Sequence, residues 1–145
     1  MDEAQAFDLS VEASLDNLQV VRSFFDRAGA GLGLDERVLG DLRLAVDEAV
    51  TNVALHGYGG NGGEIDLHVR ADGEDIVISI LDRAGRFNPD EVKSPGLDTP
   101  LADRPAGGMG IFLIRQMTDL AEFLPRPGGG NELRLVKRGV IGNGT

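Results

Sequence analysis

The sequence predicts an α+β sandwich, a mostly antiparallel sheet with helices on one face. Three observations lead there. Short stretches alternate apolar and polar residues with the two-residue period of a half-buried strand. Later strands come in pairs across turn-forming residues, as hairpins do, at Ala71-Asp72-Gly73-Glu74 and Arg126-Pro127-Gly128-Gly129-Gly130. Between strands lie longer stretches whose apolar residues recur at helical spacing. The chain has 145 residues and no internal repeat, so a single domain over 1–145 is expected, with a frayed tail over 139–145.

The elements follow in order. Phe7, Leu9, Val11 and Ala13 alternate with Asp8, Ser10 and Glu12, which reads as a first strand. Asp16 or Asn17 can cap a helix whose apolar side is Leu18, Val21, Phe24 and Phe25, and Gly29, Gly31 and Gly33 are expected to stop it. Residues 34–56 read as a long helix, with Leu34, Val38, Leu42, Ala45, Val46, Ala49 and Val53 at helical spacing. The glycine-rich run 57–63 ends it. Ile65, Leu67 and Val69 mark a strand. The near-continuous apolar run 76–81 is its returning partner and suits a central position in the sheet. Residues 82–107 are irregular and hold four prolines, a length typical of a functional loop. Ile111, Ile114, Met117 and Leu120 then mark a helix, and strands follow around 121–124 and 132–137.

Composition narrows the function. The net charge is −10, with the excess of acids concentrated in residues 1–60, which argues against nucleic acid as the main partner. That acidic surface could face a basic protein or simply aid solubility. Cysteine is absent, so disulfides, thiolate metal sites and cysteine nucleophiles are excluded. No apolar run approaches the ~20 residues that cross a bilayer. The acidic start lacks the order of a signal peptide, and a cytoplasmic location is expected. The 21 glycines cluster at 57–63, 107–110 and 128–130, marking particular loops.

Three stretches carry candidate chemistry. Glu48, Asn52 and His56 stand at i, i+4 and i+8 and form one stripe along a helix. Such a stripe is commonly an edge-of-core hydrogen-bond ladder. It also offers a carboxylate for proton transfer beside an amide oxygen for a hard cation such as magnesium. Asp82 ends the apolar strand, where its carboxylate can accept from a ligand amino group, with Gly85 close by. Gly108-Met109-Gly110 opens a helix, whose free N–H groups and dipole favour an anion. It lacks the third glycine of a dinucleotide fingerprint, and no phosphate loop ending in Gly-Lys-Ser/Thr is present. A Gly-x-Ser-x-Gly elbow and a metal-pair histidine spacing are absent too.

The order of these stretches, Glu-x-x-x-Asn, then strand-Asp, then Gly-x-Gly-helix, resembles the ATP-binding domain of the GHKL superfamily, which includes gyrase and the histidine kinases. The resemblance spans about 34–138. The run Leu44-Ala45-Val46-Asp47-Glu48-Ala49-Val50-Thr51-Asn52-Val53-Ala54-Leu55-His56-Gly57-Tyr58, and Gly108-Met109-Gly110-Ile111-Phe112-Leu113-Ile114, look like the matching boxes of the bacterial anti-sigma-factor serine kinases. That resemblance implies a two-layer sandwich of the GHKL (Bergerat) type. It implies ATP and Mg2+, a sigma factor that is sequestered, an anti-sigma-factor antagonist phosphorylated on Ser or Thr, and a homodimer. By position, Glu48 would be the general base, Asn52 the magnesium ligand, Asp82 the reader of the adenine amino group with Gly85 near the ring, and Gly108, Met109 and Gly110 the phosphate box. His56 would border the nucleotide, packing at the helix end being as fitting a role. The loop 93–107 would be a lid, with Lys93 and Arg104 as partners of the γ-phosphate.

Three departures from the family pattern stand out. Ala84 occupies a usual glycine position, so an extra methyl is expected to tighten or shift the base pocket. Ala106 stands where the kinases carry an arginine before the glycine box, which bears on phosphotransfer more than on ATP binding. Gly130-Asn131 replaces the common Gly-Thr, and Asn131 can still donate a hydrogen bond to the nucleotide. The competing reading is a binding module that regulates by sequestration alone. A detached histidine-kinase domain lacks a suitable phospho-acceptor, since His56 and His68 fall on the site helix and a strand.

Overall fold

The computed structural model describes residues 5–85, 87–88 and 108–142. Its elements are β1 (Ala6–Glu12), a 3-10 turn (Leu15–Asn17), α1 (Leu18–Leu32), α2 (Glu36–Asn52), a π-helical turn (Val53–Gly57), β2 (Glu64–Asp72), β3 (Asp75–Asp82), α3 (Gly108–Met117), β4 (Leu120–Pro125) and β5 (Asn131–Lys137). The five strands form one sheet in the order β1-β2-β3-β5-β4, and every neighbouring pair is antiparallel. The expected α+β sandwich is present, and β3 takes the central position its apolar run called for. Among the described residues no helix is long and apolar enough to cross a membrane.

Register decides which residues face the helices. Leu9, Leu67, Ile80, Leu133 and Phe123 lie opposite one another across all five strands, as do Phe7, Val69, Ile78, Leu135 and Ala121. Their members on β2, β3 and β5 form one buried cluster with Val21, Phe25, Leu42, Val46, Val50 and Ile114 from the helices, and the partly buried Phe7, Leu9, Ala121 and Phe123 pack against it. The next row toward one end of the sheet runs Val11, Ile65, Asp82, Asn131 and Pro125. Here the apolar face turns polar at β3 and β5, where the sheet meets the end of α2.

Local chemistry sets the helix limits. Asp35 caps α2, its carboxylate accepting from Val38 N–H at 2.9 Å. Asn17 stands at the cap position of α1, but its amide donates to Glu12 O at 2.8 Å instead. Gly29 and Gly31 do not stop α1; only Gly33 does, in the left-handed conformation with φ 76°. The two inner glycines serve close packing. A Cβ on Gly29 would sit 2.5 Å from Leu39 Cδ1, and one on Gly31 would sit 2.6 Å from Phe7 Cζ. Ion pairs Arg22–Asp47 at 2.8 Å and Arg43–Asp26 at 2.9 Å link α1 to α2.

The long helix expected over 34–56 is also modified. After Asn52 it widens into the π-helical turn, with Tyr58 N–H donating to Val53 O at 2.8 Å. At the other end of the chain, the segment expected to fray from Gly139 begins tied down. Gly139 N–H donates to Asp75 Oδ1 at 3.0 Å, and Val140 and Ile141 N–H donate to Glu74 O at 2.9 and 2.8 Å.

Candidate nucleotide site

A cleft opens between the end of α2 and the polar end of the sheet. It is lined by Ala49, Asn52, Val53 and Gly57 from α2 and its π-helical turn, and by Ile80 and Asp82 from β3. Phe87, Ile114 of α3, Phe123 of β4, and Asn131, Glu132 and Leu133 of β5 complete it. Most of these walls are apolar, with four polar side chains, Asn52, Asp82, Asn131 and Glu132, among them. That is the general form of a small-molecule site.

The first motif meets the third at Gly110. A Cβ built there would lie 3.2 Å from Glu48 Oε2, and 3.1 and 3.3 Å from Asn52 Nδ2 and Oδ1. Any side chain would crowd the carboxylate and the amide, so the glycine leaves a space beside them. Glu48 and Asn52 stand one turn apart on α2, and Gly110 lies in the first turn of α3. N–H groups at a helix start have no partner within the helix. An anion bound there would therefore face Asn52 and Glu48.

Glu48 is half-buried, and its carboxyl is raised above its ordinary value of 4.5. Loss of hydration on burial is the main cause, and the adjacent negative charge of Asp47 adds to it. Both make the carboxylate a stronger base than a surface glutamate.

Asp82 is 5% exposed and lies directly opposite Asn131 in the β3–β5 register. Its Oδ1 accepts from Ala84 N–H at 2.9 Å and from Asn131 Nδ2 at 3.0 Å. Asn131 also donates to Gly85 O at 2.9 Å and accepts from Phe87 N–H at 2.9 Å. The backbone behind Asp82 is fixed as well. Arg126 donates to Asp82 O at 2.8 Å, and Gly130, with φ 96°, approaches so closely that a Cβ would fall 2.1 Å from that oxygen.

The other sequence candidates fall as follows. Gly85 is exposed, and a Cβ there would meet nothing within 4 Å, so the described residues impose no need for glycine. Ala84 is buried against Gly57: a Cβ on Gly57 would lie 3.0 Å from the Ala84 methyl. The added methyl therefore fills the angle between strand end and helix end. His56 is exposed and does not line the cleft. The stripe that ran Glu48, Asn52, His56 assumed α-helical spacing throughout, and the wider π-helical turn from Val53 ends that spacing. Gly108 and Met109 open α3. Lys93, Arg104, Ala106 and the expected lid over 93–107 lie outside the described residues.

Sequence reasoning missed four contributors. Phe87 and Phe123 pack with ring centroids 5.5 Å apart, and Arg115 lies over the Phe123 ring at 5.9 Å. Tyr58 accepts from Arg83 N–H and donates to Glu64 O, both at 2.7 Å, tying the glycine loop to two strands. An aromatic residue after a strand or inside a glycine run is a faint signal, because its partner is distant in sequence.

Comparison with known proteins identifies the family. The family model for the histidine kinase-like ATPase domain matches residues 11–137. An anti-sigma F factor from Thermoanaerobacter sp. (strain X514) is 26% identical over 94% of this chain and 96% of its own. An anti-sigma F factor from Bacillus thuringiensis (strain Al Hakam) is 32% identical over 68% of each chain. The serine-protein kinase RsbW of Oceanobacillus iheyensis is 28% identical over 82% of this chain and 78% of its own. Among solved structures, the RsbU and RsbW domains of a Mycobacterium tuberculosis protein superpose with a TM-score of 0.67 at 20% identity. That match covers 92% of this chain and 32% of the solved one, and it speaks to the fold alone.

Proposed function

From the premise that this chain belongs to the histidine kinase-like ATPase family, among relatives named as anti-sigma factors and serine-protein kinases, we propose that it is an ATP-dependent serine/threonine protein kinase. In this reading it works in a bacterial partner-switching module in the cytoplasm. It sequesters a sigma factor as a homodimer and phosphorylates an antagonist protein. The observation that carries the reading is the close approach of Gly110 to Glu48 and Asn52, which joins a base, an amide ligand and a helix start around one space.

That space fits magnesium. Asn52 supplies a hard oxygen, and among the described residues no cluster of three acidic or histidine side chains could enclose an ion by itself. Phosphate oxygens and water would complete the shell, as magnesium favours. When bound, the ion would neutralise charge on the phosphates.

The chain's own residues do the rest. Asp82 accepts from the adenine amino group, and Ile80, Phe87 and Phe123 exclude water from the base. The first turn of α3 donates N–H groups to the phosphates. Glu48 takes the proton of the incoming serine hydroxyl as its oxygen attacks the γ-phosphorus and ADP leaves. Positioning and charge stabilisation dominate such a reaction, with the base adding ~10²–10⁴-fold.

Calorimetric titration with ATP, with and without magnesium, is the first test. Saturable, magnesium-dependent binding is expected, and no binding up to millimolar ATP would remove the nucleotide reading. Glu48→Gln is expected to keep that binding and lose transfer of γ-phosphate to a serine of the antagonist. If the parent binds ATP but transfers nothing, the protein acts by sequestration alone. The replacement of the family's arginine by Ala106 favours that second reading.

A further inference from the structure

Asn131 stands at a position suited to touching a nucleotide, yet its amide is already engaged. One Nδ2 hydrogen goes to Asp82 Oδ1 at 3.0 Å and the other to Gly85 O at 2.9 Å. Its Oδ1 accepts from Phe87 N–H at 2.9 Å. An asparagine amide has two donor hydrogens, so none remains for a ligand. The same three bonds gather the acceptor, the turn after it and an aromatic wall of the cleft around one side chain.

Their effect falls on Asp82. With Ala84 N–H and Asn131 both on Oδ1, rotation of the carboxylate is opposed from two sides, and Oδ2 has no protein partner among the described residues. The Asp82 carbonyl is also engaged: Arg126 donates to it, and the bare backbone of Gly130 packs closely beside it. A free carboxylate turns easily about its terminal bond, which has a broad two-fold profile. It could then accept either from a 6-amino group or, after turning, from the N1–H of a 6-oxo purine. A fixed one accepts only along the direction it already has, and a 6-oxo group there would set acceptor against acceptor.

We propose that Asn131 is the positioning residue for base selection: by bridging Asp82, Gly85 and Phe87 it makes the cleft select 6-amino over 6-oxo purine nucleotides. The proposal rests on the nucleotide reading above. Threonine, with one hydroxyl hydrogen, could serve Asp82 but could not also span Gly85 and Phe87.

The test compares dissociation constants of ATP, ITP and tripolyphosphate, each with magnesium, for the parent, Asn131→Ala and Asn131→Thr. The parent is expected to prefer ATP to ITP at least ~10-fold, the scale of one hydrogen bond to a charged group. Asn131→Ala should lower that ratio about tenfold, and Asn131→Thr should fall between. Tripolyphosphate, which lacks the base, should bind all three alike. An Asn131→Ala protein with the parent's ATP:ITP ratio overturns the proposal alone, and so does an equal loss of tripolyphosphate, which would mean general disruption. A parent that binds tripolyphosphate but neither nucleotide overturns the base-site reading and the proposal with it. Should Asn131→Ala fail to fold by circular dichroism, the Asn131→Thr ratio decides in the same way.

Discussion

Glu48 shows how one side chain couples stability to pH. Its folded carboxyl titrates above 4.5, because burial and Asp47 disfavour the anion. The stabilisation from its protonated form is fully present below pH 4.5 and is lost as pH rises through the raised folded value. Gln carries no charge to desolvate. Thermal melts of Glu48→Gln and parent should therefore diverge as pH rises from 4 to 8, the variant gaining at the upper end. A difference that stays constant across this range would sink the assignment. At Gly110 the prediction has two parts of opposite sign. Alanine is favoured over glycine inside a helix by about 1 kcal/mol, so Gly110→Ala should not unfold the protein. Its methyl would press on Glu48 and Asn52, so affinity for magnesium-ATP should fall about tenfold, a loss of ~1.4 kcal/mol. Calorimetry and a melting curve on one sample read both.

Individual elements respond to backbone conformation as much as to contacts. Gly33 and Gly40 each have open space where a Cβ would go, yet Gly33 adopts φ 76° at the end of α1 while Gly40 is inside α2. The same substitution should act in opposite directions. Gly33→Ala should cost about 1–2 kcal/mol through left-handed strain. Gly40→Ala should stabilise by about 1 kcal/mol through helix propensity. Urea unfolding of the two variants tests this, and shifts of the same sign would refute it. The π-helical turn after α2 belongs to this scale too. It lets the main chain leave Asn52 in the cleft while turning His56 outward, and it brings Gly57 against Ala84.

For the molecule as a whole, stability and site share one sheet. Ile78 and Ile80 are buried at the centre of β3, and Asp82 continues the same face two residues on. Ile78→Ala should cost about 2–5 kcal/mol by denaturant unfolding, as a buried large-to-small change does. Ile78 does not line the cleft. At temperatures where the variant remains folded, magnesium-ATP binding should stay near the parent's. Loss of affinity in a folded Ile78→Ala protein would show that strand packing, rather than the polar end alone, sets the site.

Much of this architecture was legible in the sequence because its signals are local. Alternation located the strands, helical spacing located the helices, and the order of Glu48-x-x-x-Asn52, Asp82 and Gly108-x-Gly110 pointed to the family. A two-residue or 3.6-residue period is imposed by the nearest neighbours on the chain, so it survives without knowledge of the fold. Tertiary structure alone decided the rest. The meeting of Asp82 with Asn131 depends on the β3–β5 register, and that of Gly110 with Glu48 on the approach of two helices. The continuation of α1 through Gly29 and Gly31 depends on Leu39 and Phe7 packing onto bare backbone. Each joins residues far apart in sequence, and such contacts are selected by shape and burial across the whole core, which no local pattern records.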